Sequence, residues 1–111
     1  MVDITLTIDA DTGNGIVPID VWYNSIENDL HQMAKLATLY EPIWEPKFKG
    51  AKLNIKHIES GLVQLKNKDM KDAYVKCIPR KSFYTFDMLL RFTEGYLRAL
   101  KRHPKTKIVV T

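Results

Sequence analysis

The first residues of the chain alternate strictly between apolar and polar side chains. The apolar positions are Val2, Ile4, Leu6 and Ile8, and the polar positions that follow them are Asp3, Thr5, Thr7 and Asp9. A period of two is typical of a β-strand with one face in a core and the other in water. The chain therefore begins as a strand, and apolar surface from elsewhere must cover one of its faces.

The segment DADTGNG, residues 9–15, follows this strand and partly matches the spacing of a calcium loop. Counting from Asp9, the sixth residue is Asn14 instead of glycine and the twelfth is Asp20 instead of glutamate, so the ligand pattern is incomplete. A polar turn with glycines at positive φ explains the segment with fewer assumptions. We predict a turn.

A helix is predicted to begin near Asn24, because Asn24 and Glu27 fit a capping box. Apolar residues then recur at helical spacing, at Ile26, Leu30, Met33, Ala37 and Tyr40. Pro42 and Pro46 should end this helix and hold Trp44 in a stiff corner. Trp44 has two interpretations, a plug in the core under a loop or a platform on which a ligand stacks.

Two further helices are predicted downstream. Residues 51–66 carry an apolar helical stripe, although their start also alternates like a strand, and residues 66–81 are predicted to be a polar loop with an extended piece at AYVKCI. The last helix should be capped by Thr85 and end before Pro104. The closing KIVVT should form a short strand that pairs with residues 2–8.

These elements predict an α+β fold in one compact domain, residues 1–111. The expected order is β-α-α-α-β, with a small two-stranded sheet of the N- and C-terminal strands packed on about three helices. A chain of 111 residues, 45% of them hydrophobic, is long enough to bury a modest core.

Charge is distributed unevenly along the chain. Residues 1–45 hold eight acids and one lysine, a net charge of −7, whereas the remainder holds sixteen Lys or Arg against five acids, +11. In one interpretation the charges of the two parts pair across the fold or across a subunit contact. In the other, the basic part leaves a positive face that attracts phosphates. The basic RALKRHPKTK, residues 98–107, is mostly explained by the end of a helix, where cations offset the exposed carbonyls.

The sequence carries no catalytic or metal-binding signature. His31, His57 and His103 are far apart, HExxH, CxxC and phosphate-loop motifs are absent, and nothing beside Cys77 marks it as a nucleophile. We therefore expect no catalytic residue, no metal and no cofactor, and favour a protein that is not an enzyme.

Localisation and partners follow from the same composition. No apolar run of about 18 residues occurs and the first residues lack the features of a signal peptide, so a soluble cytoplasmic protein without a membrane partner is expected. The acidic first half would repel a nucleic acid backbone, which makes nucleic acid an unlikely partner.

Two stretches, NDLHQMAKLATLYEPIWEPK and YTFDMLLRFTEGYLRALKRHPKTKIVV, resemble a family of small uncharacterised phage and bacterial proteins. Its members read approximately THNLxKMAxxAGLYExLWRP and WGTYExLxxFVxxYLxACxxxPxAxIxVS. The matching positions are Leu30, Met33, Ala34, Leu39, Tyr40, Glu41, Trp44, Pro46, Thr85, Phe92, Tyr96, Leu97, Ala99 and Pro104. The chain departs from the polar motifs, with Glu27, Asn28 and Asp29 in place of Thr-His-Asn and Glu45 in place of Arg. The resemblance implies architecture more than activity, and it supports a helix over residues 51–66.

The family's polar and aromatic positions predict a pocket where the start of the first helix, the IWEPK corner and the start of the last helix meet. Its predicted residues are Asn28, His31, Trp44, Lys47, Arg80, Lys81, Tyr84 and Thr85. Helix N-termini, flat rings and cations suit a small nucleotide-like anion. We expect a homo-oligomeric binding module that sequesters such a ligand, in the manner of phage sponges for nucleotide immune signals. The alternative is an interaction module that inhibits or recruits a host or phage protein.

Overall fold

A computed structural model of the chain describes residues 1–79 and 84–111. Three strands and five α-helices occur within this part of the chain, and short 3-10 turns precede the first and fourth helices. The elements are β1 (Val2–Asp11), β2 (Ile16–Ile26), α1 (His31–Leu36), α2 (Tyr40–Trp44), α3 (Ala51–Leu65), α4 (Lys71–Lys76), α5 (Phe86–Arg102) and β3 (Lys107–Val110). The α+β class is therefore confirmed.

The sheet is antiparallel, with β1 between β2 and β3. The pairing of the terminal strands is as predicted, with Ile4 opposite Val110 and Thr7 opposite Lys107. The prediction of two strands was wrong, because β2 runs from Ile16 to Ile26 and the first helix does not begin near Asn24. Pro18 and a bulge at Val21 break the alternation of β2, so its sequence lacks the period of two that marks β1.

The core lies between the sheet and the helices. Ile4 and Leu6 of β1, together with Ile108 of β3, are fully enclosed by helical side chains. Helix α5 begins at Phe86 and α3 at Ala51, as predicted, and the two helices pack against each other. Their mostly apolar buried faces supply Ile58 and Leu65 from α3 and Leu89, Tyr96 and Leu100 from α5. The sheet and this helix pair form the body of the molecule.

The helix predicted from Asn24 to Tyr40 is interrupted at Thr38. Helix α1 ends in a Schellman motif, in which Leu39 N–H donates to the Ala34 carbonyl (2.7 Å) and Thr38 N–H donates to the Lys35 carbonyl (3.1 Å). Thr38 has a φ of +62°, a conformation that a β-branched residue rarely adopts. The turn lets Leu39 pack on Gly61 of α3, where a Cβ atom would overlap the Leu39 side chain.

Two other local predictions were wrong. Pro42 does not end a helix; it lies in the first turn of α2, where its missing N–H removes no helical hydrogen bond. Residues 68–76 form a 3-10 turn and helix α4 instead of a loop with an extended piece. Tyr74 of α4 is buried and its hydroxyl donates to the Gln64 carbonyl (2.7 Å), a tertiary contact that favours the helix.

The β1–β2 hairpin projects beyond the body as an arm, residues 8–20. Its turn is the one predicted for DADTGNG: Thr12 N–H donates to the Gly15 carbonyl (3.0 Å), and Gly13 and Gly15 have positive φ. β3 pairs with β1 only over residues 4–7, so the arm has no third strand. The long dimension of the molecule, 54 Å against 27 and 20 Å, accommodates this projection.

None of the helices in the described ranges is long and apolar enough to cross a membrane.

Candidate functional site

Three of the predicted site residues, Asn28, His31 and Trp44, lie together at the junction of α1 and α2. With Tyr40 they form what we call the aromatic cluster. The His31 ring meets Trp44 edge to face, with centroids 4.8 Å apart, and meets Tyr40 in the same way at 5.0 Å. Trp44 is buried and its Nε1–H donates to Oδ1 of Asn28 (3.3 Å). The indole is thus the core plug, and its faces are not a stacking platform.

The surroundings of His31 disfavour the charged form of its imidazole. Burial lowers the pKa of His31, and the nearby charge of Lys35 lowers it further. Its Nε2 is enclosed and has no hydrogen-bond partner among the described residues. A lowered pKa and two aromatic neighbours indicate a packing role for His31 in this cluster more than a contact to an anion.

The start of α5 meets the end of β2 at a second place, the corner cleft. The cleft has a volume of about 360 Å³ and is lined by apolar side chains together with polar ones, among them Glu27, Tyr84 and Arg91. A hydrogen bond to the Glu27 carboxylate raises the pKa of Tyr84, assisted by burial and by the charges of Glu27 and Asp29. Thr85 is exposed beside it as the first residue before α5.

Lys47 lies at a third place, the side cleft between α2 and α3. This cleft has a volume of about 400 Å³. Its lining is Thr38, Glu41, Pro42, Lys47, Phe48, Asn54, His57 and Ser60. Asn54, His57 and Ser60 succeed one another at intervals of three along α3, which places them on one side of that helix.

Two side chains give the side cleft its shape. Asn54 is buried, and its Nδ2–H donates to the Pro42 carbonyl (2.9 Å), which ties α3 to α2. The Phe48 ring is 45% exposed and stacks on His57, with centroids 6.1 Å apart and planes 15° apart. The cleft therefore combines a fixed amide, an imidazole and an exposed flat ring.

The predicted site residues are not gathered into one hollow. Asn28, His31 and Trp44 form the aromatic cluster, Tyr84 lines the corner cleft, Thr85 lies next to it, and Lys47 lines the side cleft. Arg80 and Lys81 lie outside the described residues. Asn28 bonds to Trp44 while its neighbour Glu27 contacts Tyr84, so the segment before the first helix touches both of the other expected corners.

Sequence reasoning missed the residues that surround Lys47. Phe48, Asn54, His57 and Ser60 were not assigned to a site, although the polar spacing of three on α3 was visible in the sequence. This spacing was a weak signal because Asn54 interrupts an apolar helix face. Only the packing of α2 on α3 makes that face the wall of a cleft.

The described part of the chain contains no group of His, Cys, Asp and Glu side chains that could hold a metal ion. Cys77 is half-buried, and its Sγ–H donates to the Ala73 carbonyl (3.3 Å). Comparisons with protein-family models, curated proteins and solved structures found no match to this chain.

Proposed function

We propose that the protein is a non-enzymatic binding module for a small anionic ligand with a flat ring, of nucleotide type, and that the ligand lies in the side cleft. The observation that carries the proposal is the lining of this cleft. It brings the ammonium of Lys47, the imidazole of His57 and the hydroxyl of Ser60 around one volume of about 400 Å³, a size that suits a small molecule.

The cation in the cleft is available to an incoming anion. Lys47 Nζ lies 3.6 Å from Oε1 of Glu41, and the Lys47 side chain is 74% exposed. An exposed ion pair of this kind contributes little to stability, up to about 1 kcal/mol. A phosphate group can therefore replace the Glu41 carboxylate as the partner of Lys47 at small cost, and the flexible lysine can follow the ligand.

The ring of the ligand has a platform in Phe48. One face of this exposed phenyl ring stacks on His57. Stacking of a base on an aromatic side chain contributes about 1–3 kcal/mol and tolerates different bases. Phosphate recognition by Lys47 together with stacking on Phe48 defines the proposed ligand class.

The corner cleft is less suited to an anion. A glutamate lines each cleft, but in the corner cleft Glu27 also engages the Tyr84 hydroxyl that would otherwise donate to a ligand. Arg91 is its nearest equivalent of Lys47, since both are exposed cations in a cleft wall. Arg91 is for this reason the matched control for any test of the side cleft.

Titration calorimetry with cyclic dinucleotides, ADP-ribose derivatives and ordinary nucleotides tests the proposal. We expect one compound class to release heat with the wild type, and Lys47→Ala to weaken its binding about tenfold or more, because a charge-assisted hydrogen bond contributes about 1.5–3 kcal/mol. Arg91→Ala should bind like the wild type. Equal losses of affinity in both variants, or an affinity that Lys47→Ala leaves unchanged, would contradict the assignment to the side cleft.

The non-enzymatic part of the proposal has its own measurement. A sponge must return its ligand intact, so chromatography of the mixture after prolonged incubation should recover the compound unchanged. Turnover of any bound compound would show an enzyme instead.

A protein interaction module is the second candidate function. The observation that favours it is the arm, on which large apolar side chains are exposed instead of covered, among them Ile8, Ile16, Val17 and Ile19. Exposed apolar surface of this extent is typical of a contact with another protein.

A further inference from the structure

A further cleft lies where the arm joins the body, between β2 and the last turns of α5. This root cleft has a volume of about 290 Å³. Its lining includes Val21, Trp22, Gly95, Arg98, Arg102 and His103. Two guanidinium groups and one imidazole thus border one hollow, and none of the described carboxylates is among its lining residues.

The two arginines lie on one face of α5. Gly95, Arg98 and Arg102 succeed one another at intervals of three and four residues, which is helical spacing. Arg98 lies over the glycine, with its Nη2 3.9 Å from the point that a Cβ atom of Gly95 would occupy. Like charges four residues apart repel each other along a helix, so an anion held between the two guanidinium groups would relieve that repulsion.

The end of the helix explains only part of this charge. Cations are attracted to the negative end of a helix within its last turn, but Arg98 lies one turn before Arg102, the last residue of α5. Lys101, in contrast, has an acidic partner, because its Nζ lies 3.9 Å from Oε2 of Glu59. Within the described ranges neither arginine forms an ion pair, so both are available to a ligand.

Asp20 is next to the root cleft in sequence but does not line it. Its ladder partner is Thr7, whereas Trp22 is opposite Leu6 on the face that packs on α5. The Asp20 carboxylate therefore belongs to the other face of the sheet, together with the other aspartates of the arm. These charges would repel an extended polyanion, which favours a ligand with one compact anionic group.

A smaller cleft adjoins the root cleft and shares Val21, Arg102 and His103 with it. It has a volume of about 260 Å³, and Ile8 and Pro104 give it an apolar wall. An anionic group in the root cleft can therefore carry an organic substituent into the adjoining cleft, where apolar atoms surround it.

We propose that the root cleft is a second ligand site, which binds the phosphate group of a small organic phosphate monoester. A phosphate offers three acceptor oxygens and up to two negative charges, which matches the two guanidinium groups and the imidazole better than a carboxylate does. Arginine also binds phosphate oxygens in pairs, through its planar fork of N–H groups. The site is separate from the side cleft, because the two clefts share no described lining residue.

A proton–nitrogen NMR titration of the wild type with monobutyl phosphate tests the site. This probe has no ring to stack on Phe48, so it does not report on the side cleft. We expect saturable shifts of the Trp22 indole N–H and the Gly95 amide, which lie in the root cleft. The Trp44 indole N–H, which lies in the aromatic cluster, should not shift.

Three variants test the role of the arginines. Arg98→Gln and Arg102→Gln should each raise the dissociation constant about tenfold or more, because each removes a charge-assisted hydrogen bond. The matched control is Lys101→Gln, which removes the same charge from the last turn of α5 at a side chain paired with Glu59. It should bind like the wild type. All three side chains are exposed, so circular dichroism should show wild-type secondary structure.

Inorganic phosphate tests the adjoining cleft. It should bind at least about fourfold more weakly than monobutyl phosphate, because each methylene that the cleft buries contributes about this factor. Equal affinity for the two compounds would overturn the assignment to an ester.

Two further results would overturn the site itself. The absence of any saturable shift of the Trp22 indole would show that the root cleft binds no phosphate monoester of this kind. An equal loss of affinity in Lys101→Gln and the two arginine variants would show only a diffuse attraction to a basic surface. Neither result bears on the side cleft, whose own test is Lys47→Ala.

Discussion

Strand β1 passes through two environments without a change in its sequence pattern. Leu6 has no exposed surface, whereas Ile8, the next residue on the same face, is 39% exposed. The difference comes from the neighbours, because β3 pairs with the strand only as far as Thr7 and the core cluster that encloses Leu6 does not include Ile8. Alternation therefore specifies which face is apolar, while tertiary packing determines whether that face becomes core or surface.

The largest expected difference in stability is between alanine substitutions of Leu6 and Ile8, the two neighbours on the apolar face of β1. Leu6→Ala should lower the free energy of unfolding by about 2–5 kcal/mol, because it leaves a cavity in the body. Ile8→Ala should lower it by less than about 1 kcal/mol, because water already reaches the side chain. Urea denaturation measures both. Equal losses would mean that the arm is as well packed as the body.

Substitution of one glycine in each region compares a steric cost in the body with a backbone conformational cost in the arm. In the body, Gly61→Ala should cost about 1–3 kcal/mol, since the new methyl group must displace Leu39. In the arm, Gly13→Ala meets no neighbouring atom and should cost about 1 kcal/mol through its φ of +82° alone.

Combination with Leu39→Ala separates the two causes. This substitution should recover part of the loss in Gly61→Ala and none of the loss in Gly13→Ala. Equal recovery for both glycines would show that crowding by Leu39 is not the cause in the body.

Thr38 makes the body less stable than it could be. Thr38→Gly should raise the free energy of unfolding by about 1 kcal/mol, because glycine adopts the positive φ of this Schellman turn without steric cost. Thermal unfolding followed by circular dichroism measures the gain. A loss of stability would show that the Thr38 hydroxyl bond to the Ala37 carbonyl (2.6 Å) outweighs the strain.

The smallest effect is a pH dependence located in the body, since the arm contains no histidine. The pKa of His31 is lower in the folded chain than its ordinary value of 6.5. The unfolded chain therefore binds this proton more readily, and stability should fall as pH drops from about 7 through the lowered folded pKa. His31→Gln should lose this part of the dependence when melting temperatures are compared between pH 7.5 and pH 5.5. An unchanged dependence would exclude His31 as its source.

The elements that could be predicted from sequence are those in which only one face is covered by the core, because their apolar residues then recur with a regular period. β1, α3 and α5 each present a single apolar face to the core, and their periodicity identified them. β2 escaped prediction because its arm half has apolar residues on both faces, with Ile16 on one and Val17 on the other, and because Pro18 and Val21 interrupt its register. Its residues 24–26 also imitate the start of a helix.

The candidate site was less accessible to prediction than the fold. Asn28 and Trp44 were expected near each other and do bond, but the sequence could not show that burial of the indole removes it from the surface. Lys47 was identified as the single cation of the IWEPK corner. Its partners on α3 depend on the turn at Thr38 and on the close contact of Leu39 with Gly61, which no local pattern encodes.

The two indoles of the chain are divided between these regions, which gives each region its own fluorophore. Trp22 is half-buried at the root of the arm, edge to face with Tyr96 at 5.4 Å, whereas Trp44 is buried in the body beside His31. In a Trp44→Phe variant, emission would report the solvent exposure of the arm root. In a Trp22→Phe variant, emission would report the aromatic cluster alone, so a single spectrometer can follow arm and body separately.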